Sequence, residues 1–290
     1  MSVYVWNIRP EIIAPLAILA FVFTRGWWHL RARGHARLAS HWRLASFLGG
    51  ILLIGLALMS PLDRLGYYLF FASMIQHLLL IMFAPPLLLL ANPFPFLLWG
   101  LPRAWRRRVG MWFAPAARPR ARLRAVTRPG LTWVVFVSTL LLWHDAFAYD
   151  AALRVLLLND FQNLTFFGTS LLFWWHVLDA GPRIHRRFRW ITRVVYLIGA
   201  VPFNMLLGVA LAFSTTPWYK YYTEVPRLWD IPPVRDQAIG GLIMWIPGSM
   251  MYLLFALIFI ARYIQSEADK PPLPEDEWAT VENMAAPLSR

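Results

Sequence analysis

Arg103-Ala104-Trp105-Arg106-Arg107-Arg108, followed by Arg118-Pro119-Arg120-Ala121-Arg122-Leu123-Arg124 and Arg128, places nine arginines between two long apolar blocks. Two further basic segments lie to either side. One holds Arg25, Arg31, Arg33, Arg37 and Arg43; the other holds Arg183, Arg186, Arg187, Arg189 and Arg193. The remaining junctions between apolar stretches are nearly neutral. Membrane proteins keep such clusters in short cytoplasmic loops, so the three segments mark one side of a bilayer.

Composition agrees. The 290 residues are 59% hydrophobic and only 15% charged, where a soluble domain carries about 25% charge. Mean hydropathy is +0.49. The net charge of +13 could suggest nucleic acid. The arginines sit in short loops between spans, however, so the partners they imply are anionic lipid headgroups and not nucleic acid. The chain has no cysteine, which excludes disulfides, thiolate metal sites and thiol redox chemistry. Arg9 and Glu11 precede the first apolar run without the basic head and small-residue cleavage site of a signal peptide.

A crossing needs about 20 apolar residues. Turn residues divide the apolar blocks into seven such runs, at 12–28, 42–59, 66–90, 131–149, 161–179, 191–213 and 237–263. This predicts an all-α polytopic bundle of seven transmembrane helices. With the basic segments inside, the N-terminus is outside and the C-terminus cytoplasmic. Residues 1–265 form the membrane domain, and 266–290, rich in Pro, Glu, Asp and Ala, form a flexible tail. Pro85-Pro86 predicts a kink in the third span. Residues 93–108 read as an interfacial segment, with Phe94, Phe96, Leu97, Leu98, Trp99 and Trp105 at headgroup level. No internal repeat and no nucleophile–base set is present, so the chain reads as a non-enzyme.

Polar residues in a span are costly and face the bundle interior or a cavity. Ser73, Met74, Gln76 and His77 occur together on span three, with Met74 and His77 on one helix face. Span four ends in Trp143-His144-Asp145. Span five opens with Asn159, Asp160, Gln162 and Asn163 and closes with His176 and Asp179. Asn204 lies mid-span six, and span seven opens with Asp236-Gln237 before Met244. Most of these fall in the outer half, with His77 roughly 15 Å below the outer end. Histidine, methionine and carboxylate are metal-ligand types, and thioether favours Cu(I). The same types also serve as interhelical hydrogen-bond donors and core filler, so both readings stay open. His29, His35, His41 and His185 lie in or beside basic loops and read as headgroup or water contacts.

Ser73-Met74-Ile75-Gln76-His77, running on through Pro85-Pro86 to Asn92-Pro93, resembles the seven-helix CtaG family of cytochrome c oxidase assembly proteins. Trp143-His144-Asp145 with Tyr149-Asp150, Phe173-Trp174-Trp175, and Asp236-Gln237 with Gly240-Gly241 and Met244-Trp245 carry the same resemblance. The resemblance implies a factor in the bacterial plasma membrane that docks to the oxidase catalytic subunit and aids copper insertion. It also implies functional roles for His77, His144, Asp236, Gln237 and Met244. The expected ligand set is therefore His77, His144, Met74, Met244 and Asp236, with Gln237, Asp145, Ser73, Asn159 and Asn163 around it. The chain departs from the family where Ser73 replaces a histidine and where Asn159 and Asn163 replace a histidine pair.

Other functions compete. A docking or structural subunit of a respiratory or photosynthetic complex would need no metal. A bis-histidine haem protein would need two imidazoles at one depth, and these boundaries put His77 and His144 about 8 Å apart in depth. A transporter would show repeats or a charged midplane pair, and none is evident.

Overall fold

The computed structural model describes residues 4–114 and 116–269. Among them every regular element is helical. The order is α1 (Pro10–Ala32), α2 (His41–Met59), α3 (Pro61–Gly66), α4 (Phe70–Leu78), a π-helical turn (Leu79–Phe83), α5 (Ala84–Leu90), α6 (Pro93–Gly100) and α7 (Arg103–Trp112). It continues with α8 (Arg118–Val126), α9 (Pro129–Trp143), α10 (Ala146–Arg154), α11 (Leu156–Leu178), α12 (Trp190–Ile198), α13 (Val201–Phe213), α14 (Tyr221–Glu224) and α15 (Pro233–Ala268).

Five described helical stretches are long and apolar enough to cross a membrane: Pro10–Ala32, His41–Met59, Phe70–Leu90, Trp190–Phe213 and Pro233–Ala268. The expected run 131–149 is shorter than read. Its helix stops at Trp143, because Asp145 accepts the N–H groups of Phe147 and Ala148 at 3.1 and 3.2 Å and starts α10. Joined to α8 across a 51° bend, α9 is long enough to span. The expected run 161–179 begins earlier, at Leu156, and Asn159, Asp160, Gln162 and Asn163 occupy its first turns. α15 continues to Ala268, into the segment read as a tail. The rest of that segment, 270–290, lies outside the described residues.

Pro85 and Pro86 do not interrupt the third span. A proline N–H is missing four residues after Ile81, so the Ile81 carbonyl lacks its helical partner. The indole of Trp174 donates to it instead, at 3.0 Å. The preceding turn widens, and Ala84 N–H bonds to the Leu79 carbonyl five residues back.

Two cores flank this span. On one side α1, α2, α5 and α6 enclose Phe23, stacked on Phe47 at 3.8 Å, and Phe96. Within 93–108, Phe96 was expected at headgroup level and is instead buried. Leu101-Pro102 divides the segment into α6 and α7, and α6 buries Phe96 and Gly100 against α1. A Cβ on Gly26 would collide with the Phe96 carbonyl, and one on Gly100 with that of Val22, so only glycine permits this crossing. On the other side α4, α9–α13 and α15 surround Phe173, Trp174 and Tyr252. There Gly241 sits against Gly208 and Ala212, a small-residue seam of the kind that lets membrane helices approach closely.

Candidate functional site

The widened turn and the end of α9 meet at one place. His144 is the first residue beyond α9, and its ring centroid lies 6.0 Å from that of His77 on α4. The 8 Å depth offset expected from sequence is thereby corrected. It came from running the fourth span on to residue 149, whereas the chain turns at His144-Asp145. Both histidines are buried. Phe166 of α11 packs on both rings, 4.7 Å from His77 and 5.8 Å from His144.

Between them is a cavity of about 30 Å³, room for one ion or water. Met74, Met82 and Met244 line it with the two histidines, and Asn204 and Gly248 line it from α13 and α15. The expected face shared by Met74 and His77 is thus the cavity face. Met82 was not picked out from sequence. It lies five residues beyond His77, a spacing that points to another side of a regular α-helix, and it sits within the π-helical turn.

The hydrogen bonding of the two rings is informative. His144 Nδ1 lies 2.7 Å from the Leu140 carbonyl. A carbonyl only accepts, so Nδ1 carries the proton, and in the neutral ring Nε2 holds a lone pair. That Nε2 is buried with no hydrogen-bond partner, and so is His77 Nδ1. Buried polar atoms are nearly always paired, so two unpartnered imidazole nitrogens on residues that line one cavity mark it as a candidate site. A ring fixed by Nδ1–H to a backbone carbonyl is also how metal-bound histidines are oriented. An ion about 2 Å from a nitrogen of each ring would hold the centroids up to roughly 6 Å apart, which matches the pair.

The other expected site residues do not reach the cavity. Asp236, expected as a ligand, accepts the backbone N–H groups of Phe70 at 2.8 Å and Phe71 at 3.0 Å. It caps α4, and so positions Met74 and His77 without lining their cavity. Gln237 accepts from Trp218 N–H at 2.6 Å and donates to Leu211 and Thr216 carbonyls, joining α13, the following loop and α15. Asp145 caps α10. Ser73 accepts from Tyr149 Oη–H at 2.7 Å. Asn163 donates to Asn159 at 3.1 Å, while its own Oδ1 and the neighbouring Gln162 Nε2 are buried and unpartnered. Asn204 donates to the Met244 carbonyl at 2.9 Å and to Ser249 Oγ at 3.2 Å, on either side of Pro247 within α15. That bond places Met244 at the cavity. A cavity this small excludes a porphyrin between the histidines. Among the described residues no cluster of three His, Asp or Glu side chains could hold a metal, so any metal here relies on methionine.

A second histidine pair was misread from sequence. His185, expected at headgroups or water, lies 5.0 Å from His176, ring to ring. His176 Nε2 donates to the Thr127 carbonyl at 2.9 Å. The Thr127 hydroxyl donates to the Leu123 carbonyl at 2.7 Å and so accepts from His185 Nε2 at 2.9 Å. Burial, then the nearby Arg124, lowers the His185 pKa below the usual imidazole value.

A family model described as cytochrome c oxidase caa3 assembly factor (Caa3_CtaG) matches residues 21–266. Uncharacterized proteins of Mycobacterium bovis and Mycobacterium tuberculosis are each 26% identical over 273 residues, and one of Mycobacterium leprae is 23% identical over 276. The alignments cover 91% of this chain but 40% of each relative. No solved structure matches the chain.

Proposed function

The chain belongs to the cytochrome c oxidase caa3 assembly factor family, and from that premise we propose that it carries Cu(I) in the cavity between His77 and His144 for insertion into a haem–copper oxidase catalytic subunit. Copper is cargo here, and the role is non-catalytic. The observation that carries the reading is the pair of orphaned nitrogens, His144 Nε2 and His77 Nδ1, beside one cavity. The thioethers of Met74, Met82 and Met244 complete a soft donor set, which favours Cu(I) over harder ions.

The reading comes with a topology. Seven crossings put the N-terminus outside, the C-terminus in the cytoplasm and the three arginine segments inside. The membrane is the bacterial plasma membrane, and the cavity lies in its outer half, where the oxidase partner would dock. Because the chain lacks cysteine, single introduced cysteines would map each loop by impermeant labelling. Labelling of residue 122 from outside an intact cell would overturn the orientation.

The test of function is copper content. Full-length protein purified in detergent and supplied with Cu(I) under reducing conditions is expected to retain copper. Oxidase from a strain lacking the protein is expected to be copper-poor. Normal oxidase copper in that strain would refute the assignment. A second reading, a docking subunit without metal, draws on Asn159 and Asn163, which bond to each other. It requires co-purification with mature oxidase at fixed stoichiometry.

A further inference from the structure

A cationic pocket of about 190 Å³ opens where α1, α6 and α7 meet. Arg25, His29 and Arg33 line it from the end of α1 and the turn beyond, and Trp99, Arg103 and Arg106 from α6 and α7. The guanidiniums of Arg33 and Arg106 both lie on the Trp99 ring, 4.5 and 4.3 Å from its centroid. Two like charges are thus held on one indole. The ion pairs Arg9–Glu11, Arg9–Asp160, Arg154–Glu224 and Arg187–Asp179 involve none of the pocket arginines, which have no acidic partner among the described residues.

Repelling cations kept together without an acid form a site for an anion. Planar guanidiniums match phosphate oxygens in pairs. The volume is below that of a drug-sized site, which suits a headgroup. Trp28 and Trp105, next in sequence to the lining residues His29 and Arg106, are exposed, and tryptophans mark the membrane interface. The exposed Ile18 and Phe21 of α1 offer an acyl chain an apolar track.

We propose that this pocket is a specific binding site for the phosphodiester of an anionic phospholipid. The bound lipid bridges α1 to α6 and α7 and neutralises the paired arginines. Its seat is fixed by Gly26 and Gly100, which bring the two helices into backbone contact.

The experiment titrates detergent-solubilised full-length protein with phosphatidylglycerol, phosphatidylcholine or inorganic phosphate, reading bound lipid by native mass spectrometry. The pocket variant is Arg33→Gln/Arg106→Gln. The control, Arg107→Gln/Arg122→Gln, removes equal charge outside the pocket, and size-exclusion profiles check folding of both. Phosphatidylglycerol should bind ahead of phosphatidylcholine, and the pocket variant should weaken it by about tenfold or more, as expected for two arginines lost from an anionic lipid surface. The control should stay within about twofold. Equal weakening in both variants, undiminished binding in the pocket variant, or phosphatidylcholine binding as well as phosphatidylglycerol would overturn the proposal. Inorganic phosphate binding as tightly as the lipid would overturn the lipid assignment in favour of a free anion.

Discussion

Two histidine pairs lie at similar ring separations in this protein, 6.0 Å for His77 and His144 and 5.0 Å for His176 and His185. Each pair lines a small cavity, of about 30 Å³ for the first and 20 Å³ for the second, and the difference lies in the hydrogen bonding of the rings. His176 and His185 share Thr127, one taking its carbonyl and the other its hydroxyl. That pair joins α11, the end of α8 and the loop before α12. His77 and His144 share a cavity, with one nitrogen of each unpartnered. Under the proposed function, it is the buried nitrogens without a hydrogen-bond partner, and not the proximity of the rings, that set the first pair apart.

The comparison can be broken most directly by metal analysis. His77→Ala/His144→Ala should lose the retained Cu(I) altogether, while His176→Ala/His185→Ala should keep it. Copper lost equally from both variants would mean that the first pair is not special. A graded version replaces Met74 and Met244 by Leu. The swaps conserve volume and should each cost under about 1.5 kcal/mol of stability, yet copper retention should fall clearly. Unchanged retention would exclude thioether ligation.

Stability measurements sharpen the contrast between ligand and scaffold. Trp174→Phe leaves the Ile81 carbonyl without a donor and should cost about 1–3 kcal/mol in detergent unfolding. Asp236→Asn weakens the α4 cap and should cost about 0.5–2 kcal/mol, with copper still bound. Copper loss without a stability change would instead make Asp236 a ligand. The smallest effect is expected at His176→Phe, about 1 kcal/mol for one hydrogen bond. A larger change in copper than in stability there would blur the distinction between the pairs.

The second span was read closely from sequence, 42–59 against His41–Met59, because an apolar run ends where Ser60-Pro61 starts a new capped turn. The fourth was read too long. Ala146, Phe147, Ala148 and Tyr149 are apolar enough to extend a hydropathy window, and only the hydrogen bonds of Asp145 show that a new helix begins. Met74, His77, His144 and Met244 were recognisable as candidates by residue type. Asp236 was recognisable for the same reason and turned out to be a cap, since a carboxylate suits a helix N-terminus as well as a metal. Asn204 was noted as polar but had no visible task, because its partner Met244 is forty residues away in the chain.

Run lengths, prolines and the arginine segments are properties of the chain, and bilayer thickness and surface charge act on them locally. That is why the helical class and the bounds of a stretch such as His41–Met59 were already determined by the amino-acid sequence. Which imidazole nitrogen is left free depends on a carbonyl one turn away and on helices from distant parts of the chain. Only tertiary packing decided that His77 and His144 line a common cavity while His176 and His185 each bond through Nε2 to Thr127.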